Sequence, residues 1–332
     1  MLGPVLFLIF INDLETATGS STIRFFADDT RISRQIECCR DHEQLQKDLE
    51  GVLKWSRENN MRLHEEKFEL LIHSSHAAPE DSVLPFANEY KSYKISEDRT
   101  LYPVDSLRDL GIQLESDLSW PRHILTITKK ARNAAAWVLS VFKSRELDVM
   151  MTLYKSFVRS NLEYCCPLWS PRTIGLIQEL EEVQREFTRR ITALQGLSYW
   201  DRLKKLKLMS LQRRRERYVL LIMWKILHGV LPNEIGISFR PQGRLGIQAT
   251  IPGMARGCTQ RNRSLYDSSF AVMGPSTWNL LPSWLNTVES ESAFKKHLTE
   301  YLLQLEDLPP VEGYVRAHNN TLADVTRRLQ LR

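Results

Sequence analysis

The stretch RFFADDTRIS, Arg24 to Ser33, sets two adjacent carboxylates between two short apolar runs. Ile23, Phe25 and Ala27 alternate with polar or exposed positions on the way in, and Ile32, Arg34 and Ile36 partly alternate on the way out. That period of two predicts two strands around a tight turn. Asp-Asp is acceptable turn chemistry, because short polar side chains bond to their own backbone. The same pair is also a way to offer oxygen ligands to a hard divalent cation such as Mg²⁺. From the pair alone both readings stand, a solvated hairpin tip or half of a metal site.

Upstream, Pro4 suits a first helical turn, and VLFLIFINDL (5–14) reads as a buried helix. Downstream, Asp41 and Gln44 form a capping box that opens a helix with Leu45, Leu49, Val52 and Leu53 on one face, ending near Asn59-Asn60. Phe68–Ile72 is a candidate strand, and so is the alternation of Leu110, Ile112 and Leu114. Residues 74–100, with Pro79 and Pro85, read as a polar loop or insertion.

The pattern changes near Pro121. Ile124, Ile127, Ala131, Ala135, Val138 and Phe142 fall on one helical stripe, as do Ile177, Leu180, Phe187, Ile191 and Leu194. Leu220, Met223, Ile226 and Leu227 continue it. Residues 230–275 are rich in Gly, Pro and Arg with little periodicity, Trp278–Leu303 regains helical spacing, and Pro309-Pro310 marks a break before a loosely held tail. The expectation is an α+β chain of three domains: a hairpin with helices over 1–120, a basic all-α domain over 121–230, and a mixed, partly irregular region over 231–332. A length of 332 residues suits two or three domains.

Charge sharpens that division. Residues 1–120 hold 13 Lys+Arg and 22 Asp+Glu, a net of −9; residues 121–230 hold 21 and 9, a net of +12. A basic segment of this kind suits a polyanion partner, or simply a solvated surface. Five cysteines without a CxxC fit a reducing compartment, in nucleus or cytoplasm. His73 and His76 have no cysteine pair at zinc-finger spacing, so a structural zinc is not expected. MLGPVLFLIF is too short to span a bilayer and lacks a basic leader, and no other segment is long and apolar enough for a membrane.

Taken in order along the chain, LGPVLFLIFINDL, FADDTRIS and LQKDLEGVLKWSRENNMRLHEEKFELLI resemble the later palm motifs of reverse transcriptases from non-LTR, LINE-type retrotransposons. LRDLGIQLESDLSWPRHI, KKARNA, LYKSFVRSNLEYCCPLWSP, LEEVQREFTRRITAL and YWDRLKKLKLMSLQRRRERYVLLIMWKILHG look like the segments that follow the catalytic domain in jockey, CR1 and L2-like elements. SSFAVMGPSTWNLLPSWL and AFKKHL resemble the end of those reading frames. The resemblance covers most of the chain. It implies a partial polymerase palm, a thumb-like helical domain and a C-terminal extension.

It also implies roles. Asp28 and Asp29 match the metal-binding carboxylates of the hairpin, with Mg²⁺ as cofactor of two-metal nucleotidyl transfer by an RNA-directed DNA polymerase. Phe26 matches the aromatic near the primer terminus, although a core aromatic fits it too. Gly3 and Pro4 match the motif near template and incoming nucleotide. Lys67 matches a lysine associated with nucleotide phosphates, or is a solvated strand flank. Arg185, Arg189, Arg190 and the consecutive Arg213, Arg214 and Arg215 would grip an RNA template and DNA primer through phosphates, or lie on a solvated helical face. Tyr199 and Trp200 are candidates for base stacking or for core positions.

No residue here matches the strand that carries the family's first catalytic aspartate, nor the Gln-Gly turn expected before Leu2, nor the fingers. Asp13, Asp105, Asp109 and Asp117 have no motif context to replace that aspartate. The expectation is a fragment that does not polymerise alone. The alternatives are a non-catalytic nucleic-acid-binding protein using the basic helices, or an inert transposon relic. Sequence leaves the question of an enzyme, and of the oligomeric state, open.

Overall fold

A computed structural model describes residues 2–73, 92–253, 265–310 and 320–330. The chain divides into two compact units, Met1–Ser119 and Trp120–Arg332.

The first unit is built on helix α1 (Gly3–Ile11), the antiparallel hairpin β1 (Thr22–Phe26) and β2 (Asp29–Ser33), and the long helix α2 (Cys39–Glu58). The hairpin register pairs Phe26 with Asp29, leaving a two-residue turn, Ala27-Asp28. Ile11, Leu14, Ile23, Val52 and Trp55 form one core, and Leu49 and Leu53 pack with Tyr93 and Ile95 in a second. Asp48 of α2 fixes the entry to β1. Its carboxylate accepts from the N–H groups of Gly19 (2.8 Å) and Ser21 (3.0 Å) and from Gln44 (2.9 Å). Burial pushes that carboxyl up, but the hydrogen bonds from Ser21, Gly19 and Gln44 outweigh it and hold it down at about 2. Gly51 is required by close approach, since a Cβ there would meet the carbonyl oxygen of Ala17.

Several expectations for this unit change. Helix α1 is apolar on every side, but Val5, Leu6, Leu8, Ile9 and Phe10 are exposed and only Ile11 is buried. A helix apolar all round needs neighbours all round, and the described residues of this unit supply them along one stripe, Phe7, Ile11 and Leu14. The cap of α2 lies one turn earlier than expected. Cys38 is the cap residue and Asp41 the third helical position, accepting from the Glu37 and Cys38 N–H groups and from Arg34 (2.9 Å). Phe68–Ile72 contributes one isolated bridge, Leu70 to Pro103, rather than a strand. Leu110 is a turn residue with φ of 44°, not a strand position; β5 (Ser106–Asp109) and β6 (Ile112–Glu115) flank it. Within the expected loop 74–100, residues 74–91 lie outside the described residues, Pro79, Pro85 and His76 among them. The remainder contains a short pair, β3 (Tyr93–Lys94) with β4 (Thr100–Leu101).

The second unit begins at Pro121, which opens α3 (Pro121–Val141) at its first turn. A helical run follows: α4 (Leu147–Leu153), a π-turn (Tyr154–Arg159) and α5 (Ser160–Glu163). Then come α6 (Cys166–Trp169), α7 (Ile174–Arg189), α8 (Tyr199–Leu206) and α9 (Leu211–Leu227). Ser198 and Ser210 cap α8 and α9 by accepting from the N–H groups of Asp201 (3.2 Å) and Arg213 (3.0 Å). The expected stripes face inward: Ile124, Ala131, Val138, Ile177, Leu180 and Phe187 are all buried.

Residue 230, an expected boundary, falls inside the second unit. Leu220, Met223 and Trp224 of α9 share one core with Trp278, Leu285, Phe294, Leu298 and Leu302. Those residues come from α10 (Phe270–Trp278), α11 (Ser283–Asn286) and α12 (Glu291–Gln304), so the helical spacing from Trp278 is two helices broken at Pro282 and Ser290. The irregular stretch contains a hairpin, β7 (Ser238–Pro241) with β8 (Ile247–Thr250). Trp278 Nε1 donates to the Ile247 carbonyl at 2.9 Å, and Asn279 holds Ala249 through both its N–H and its C=O. Beyond Pro310 the described residues include α13 (Leu322–Gln330), which docks through buried Leu322 and Val325 rather than hanging loose.

Two outcomes follow from this shared core. A chain ending at residue 230 loses the cover of Leu220, Met223 and Trp224, and circular dichroism of it would show no cooperative unfolding of the helical part. In the full chain Trp278→Ala removes a fully buried indole and lowers unfolding stability by about 3–5 kcal/mol, measured by urea denaturation.

Candidate nucleic-acid interface

The hairpin brings Phe26, Asp28 and Asp29 together at one tip. Ala27 takes φ of 54°, a left-handed conformation that favours glycine in such turns. Phe26 is 65% exposed, so it is not a core aromatic. Neither the Asp28 nor the Asp29 side chain has a hydrogen bond or ion pair among the described residues, while the Asp29 backbone pairs with Phe26. Gly3 and Pro4 stand at the exposed start of α1 and Lys67 at the exposed end of a 3-10 turn (Glu65–Lys67). No hydrogen bond or ion pair joins any of these three to the hairpin tip among the described residues.

Carboxylates are the right donors for Mg²⁺, but two on a turn leave most of an octahedral shell unfixed. Among the described residues no group of three or more His, Cys, Asp or Glu side chains could hold a metal ion. Three of the four other acidic candidates have side-chain partners elsewhere: Asp13 accepts from Trp55 Nε1, Asp109 pairs with Arg31, and Asp117 accepts from the Ser119 N–H, while Asp105 contributes only its backbone carbonyl, to the Ser116 N–H. The residues present therefore do not fit a two-ion centre.

The basic helices divide sharply. Arg213 and Arg215 are 0% and 2% exposed. Arg213 donates to Glu216 (3.0 Å) and to the Asn320 carbonyl (3.1 Å), tying α9 to the start of α13. Glu216 in turn accepts from the Leu322 N–H at 2.6 Å. Arg214 is clamped by Glu163 through both Nε and Nη2, with Tyr218 donating to the same carboxylate. Burial opposes the charge on Arg214, but Glu163 outweighs it and raises the guanidinium further. Arg215 Nε reaches Ser170 Oγ at 3.3 Å. Arg213 and Arg215 are thus buried away from solvent and Arg214 is held by Glu163, so none of the triplet stands free on a helix surface. Consecutive residues fan out around a helix, but α9 is enclosed on several sides, so fanning out carries two of the three inward.

Arg185 is held by Glu182 of its own helix in a two-pronged bond of 2.6 and 2.8 Å. Arg189 and Arg190, at the end of α7, are exposed and have no ion-pair partner among the described residues. They rim a surface cavity of about 210 Å³ between α3 and α7, floored by Ala135, Leu139 and Phe187. Arg132 also lines it, paired with Glu179 at 2.6 Å. Sequence pointed to Arg189 and Arg190 but not to the α3 wall. Its one signal was the absence of any acidic residue from Pro121 to Val141.

Beneath this surface lies a buried polar cluster. Tyr199 donates to Glu181 (2.8 Å), Gln184 donates to Tyr199 (2.8 Å), and Tyr154 donates to Gln184 (2.7 Å). Glu181 also accepts from the Gln212 N–H at the start of α9. Tyr199 is therefore a core residue, while Trp200 is half-buried and donates to the Pro309 carbonyl. Burial raises the Glu181 carboxyl to about 7 against the opposing pull of Arg215 and the hydrogen bonds it accepts. It likewise lifts the Cys166 thiol to about 12 and lowers buried His123 to about 4.

No family model matches this chain, and no solved structure matches it. A Drosophila melanogaster protein named "Probable RNA-directed DNA polymerase from transposon X-element" is 23% identical over 200 residues, 58% of this chain and 21% of that protein. A Caenorhabditis elegans protein described only as uncharacterized is 27% identical over 192 residues, 57% of this chain and 86% of its own length. The chain thus spans about a fifth of the length of the Drosophila protein. The similarity relates it, distantly, to a transposon RNA-directed DNA polymerase.

The raised carboxyl has a definite sign. Glu181 stabilises the fold below about pH 4.5, and that contribution is lost as pH rises through about 7. His123 acts oppositely, its contribution being lost as pH falls from about 6.5 toward 4. The useful readout is therefore a difference. Urea unfolding of Glu181→Gln against the parent should favour the variant progressively as pH rises from 4.5 to 8, and a difference independent of pH would contradict the assignment.

Proposed function

We propose that this chain is the later palm hairpin and the thumb-like helical part of a LINE-type reverse transcriptase, and that it binds an RNA–DNA primer–template without polymerising on its own. The observation that carries this reading is the FADD hairpin, whose two carboxylates stand unpartnered at an exposed tip beside an exposed Phe26. Similarity to a transposon polymerase supports the family level. Polymerisation would need a further carboxylate from a neighbouring strand to complete a Mg²⁺ site with Asp28 and Asp29. The chain's own residues offer duplex binding instead, with Arg189 and Arg190 meeting phosphates at the end of α7.

A second reading, a non-catalytic nucleic-acid-binding protein, is favoured by the same two arginines and separates from the first at the hairpin. Purified chain with Mg²⁺, primer–template and nucleotides should extend no primer, and robust incorporation would overturn the inactive assignment. Supplying an upstream polypeptide that carries a strand aspartate should restore extension only where Asp28 and Asp29 are intact; no restoration would favour the binding-only reading.

Duplex affinity should fall with salt. Arg189→Glu with Arg190→Glu should lower it by about tenfold or more and flatten the log–log salt slope by roughly two. Arg213→Ala should instead destabilise the fold by about 3–5 kcal/mol, because it strands Glu216 in the interior. Fluorescence anisotropy and urea unfolding, run side by side, distinguish the two effects.

A further inference from the structure

Trp137 lies off the apolar stripe of α3. Its neighbours Ile124, Ala131 and Val138 are wholly buried, but its indole is 50% exposed. The ring is held in place rather than left loose. Phe157 packs against it with centroids 5.5 Å apart at 61°, and Phe142 lies 6.3 Å away at 81°. Phe157 is itself 44% exposed and belongs to the π-turn, which shifts the helical register and turns this side chain outward beside Trp137. Val141, one turn on from Trp137, is exposed as well. Leaving an indole half in water forgoes burial energy, so a fixed aromatic edge on a polar face is a candidate recognition surface.

Its surroundings select the occupant. Helix α3 has no Asp or Glu over its whole length. Lys130 and Asn133 precede Trp137 by seven and four residues, on the same outward face, and Lys130 is about 10 Å back along the axis. Lys129 and Lys130 are exposed and have no ion-pair partner among the described residues. Arg132, by contrast, is occupied by Glu179. Three apolar side chains fall far short of the roughly 800 Å² that each partner of a stable protein complex covers. A flat aromatic surface flanked by unpaired lysines matches a polynucleotide strand, whose bases stack on any aromatic face and whose phosphates seek cations.

We propose that the Trp137–Phe157 edge of α3 binds single-stranded nucleic acid, one base stacking on the indole while Lys130 draws the backbone. This rests on the nucleic-acid reading of the helical unit and not on the polymerase assignment. It is also distinct from duplex binding at Arg189 and Arg190, which lie toward the α7 side of α3.

The test titrates the full-length chain with a fluorescein-labelled oligo(dT) 12-mer and, separately, with a 12-base-pair RNA–DNA duplex, at one salt concentration. Trp137→Ala should weaken oligo(dT) binding by about tenfold and leave duplex binding within about twofold. Trp137→Phe should retain most of the single-strand affinity, and Lys130→Glu should weaken it. Trp137→Ala gives up the packing on Phe157 and Phe142, so binding is measured well below the melting temperature of each variant, and Trp137→Phe keeps the ring. Unchanged oligo(dT) binding in Trp137→Ala, or no binding by the parent chain, overturns the inference. So does a dimer in the parent that Trp137→Ala dissociates, which would make the edge a self-association face. A parent chain that binds oligo(dT) through Trp137 and Lys130 but does not bind the duplex would support the inference and count against the primer–template reading.

Discussion

Helix α9 has to bury arginines. Arg213 and Arg215 sit in its first turns with almost no exposure, and the fold around them is arranged to answer their charge. Glu216 and the Asn320 carbonyl accept from Arg213, Glu163 clamps Arg214, and Glu181 acts on Arg215 through its field, although Arg213 Nε and both Arg215 Nη atoms have no hydrogen-bond partner among the described residues. An unanswered buried charge costs several kcal/mol, so these partners dictate which elements must meet. Glu163 brings α5 to α9, Glu181 brings α7, and Glu216 with Leu322 brings the final helix α13. The other half of α9 is apolar and forms the core with Trp278 and Phe294. One helix therefore joins what composition alone would divide into a basic domain and an extension.

That constraint redistributes the positive charge. A net of +12 over residues 121–230 suggests a basic surface, yet part of it is spent inside. Among the described residues, Arg189 and Arg190 at the end of α7 and Lys129 and Lys130 of α3 are exposed without ion-pair partners, as are Lys143, Lys155, Lys204 and Lys207. In the first unit the parallel lesson is the hairpin tip, where a left-handed Ala27 turns the chain and leaves the exposed Asp28 and Asp29 side chains without partners among the described residues.

Much of this was legible in the residues. The alternation around Asp28 and Asp29 gave the hairpin, and the stripes of Ile124 to Val138 and Ile177 to Phe187 gave two helices and their buried faces, because period and burial are coupled. Three features were not. Burial of Arg213 and Arg215 depends on Glu216, Asn320 and Glu181, which are distant or unremarkable in sequence. The β7–β8 hairpin is held by Asn279, Asn286 and Trp278 rather than by its own alternation. The exposure of α1 could not be read from a uniformly apolar segment, since such a segment carries no phase. The resemblance of FADDTRIS and its neighbours to LINE-type reverse transcriptases agrees with a distant similarity to a transposon RNA-directed DNA polymerase, while the geometry shows which of the expected arginines are exposed.

Hydrogen–deuterium exchange of the full chain with and without an RNA–DNA primer–template tests that redistribution most directly. Protection on binding should appear at the C-terminal turn of α7, around Arg189 and Arg190, with the first turns of α9 slow to exchange in both states. Protection that appears at Arg213–Arg215 only when nucleic acid is added, with none at the end of α7, would contradict the account.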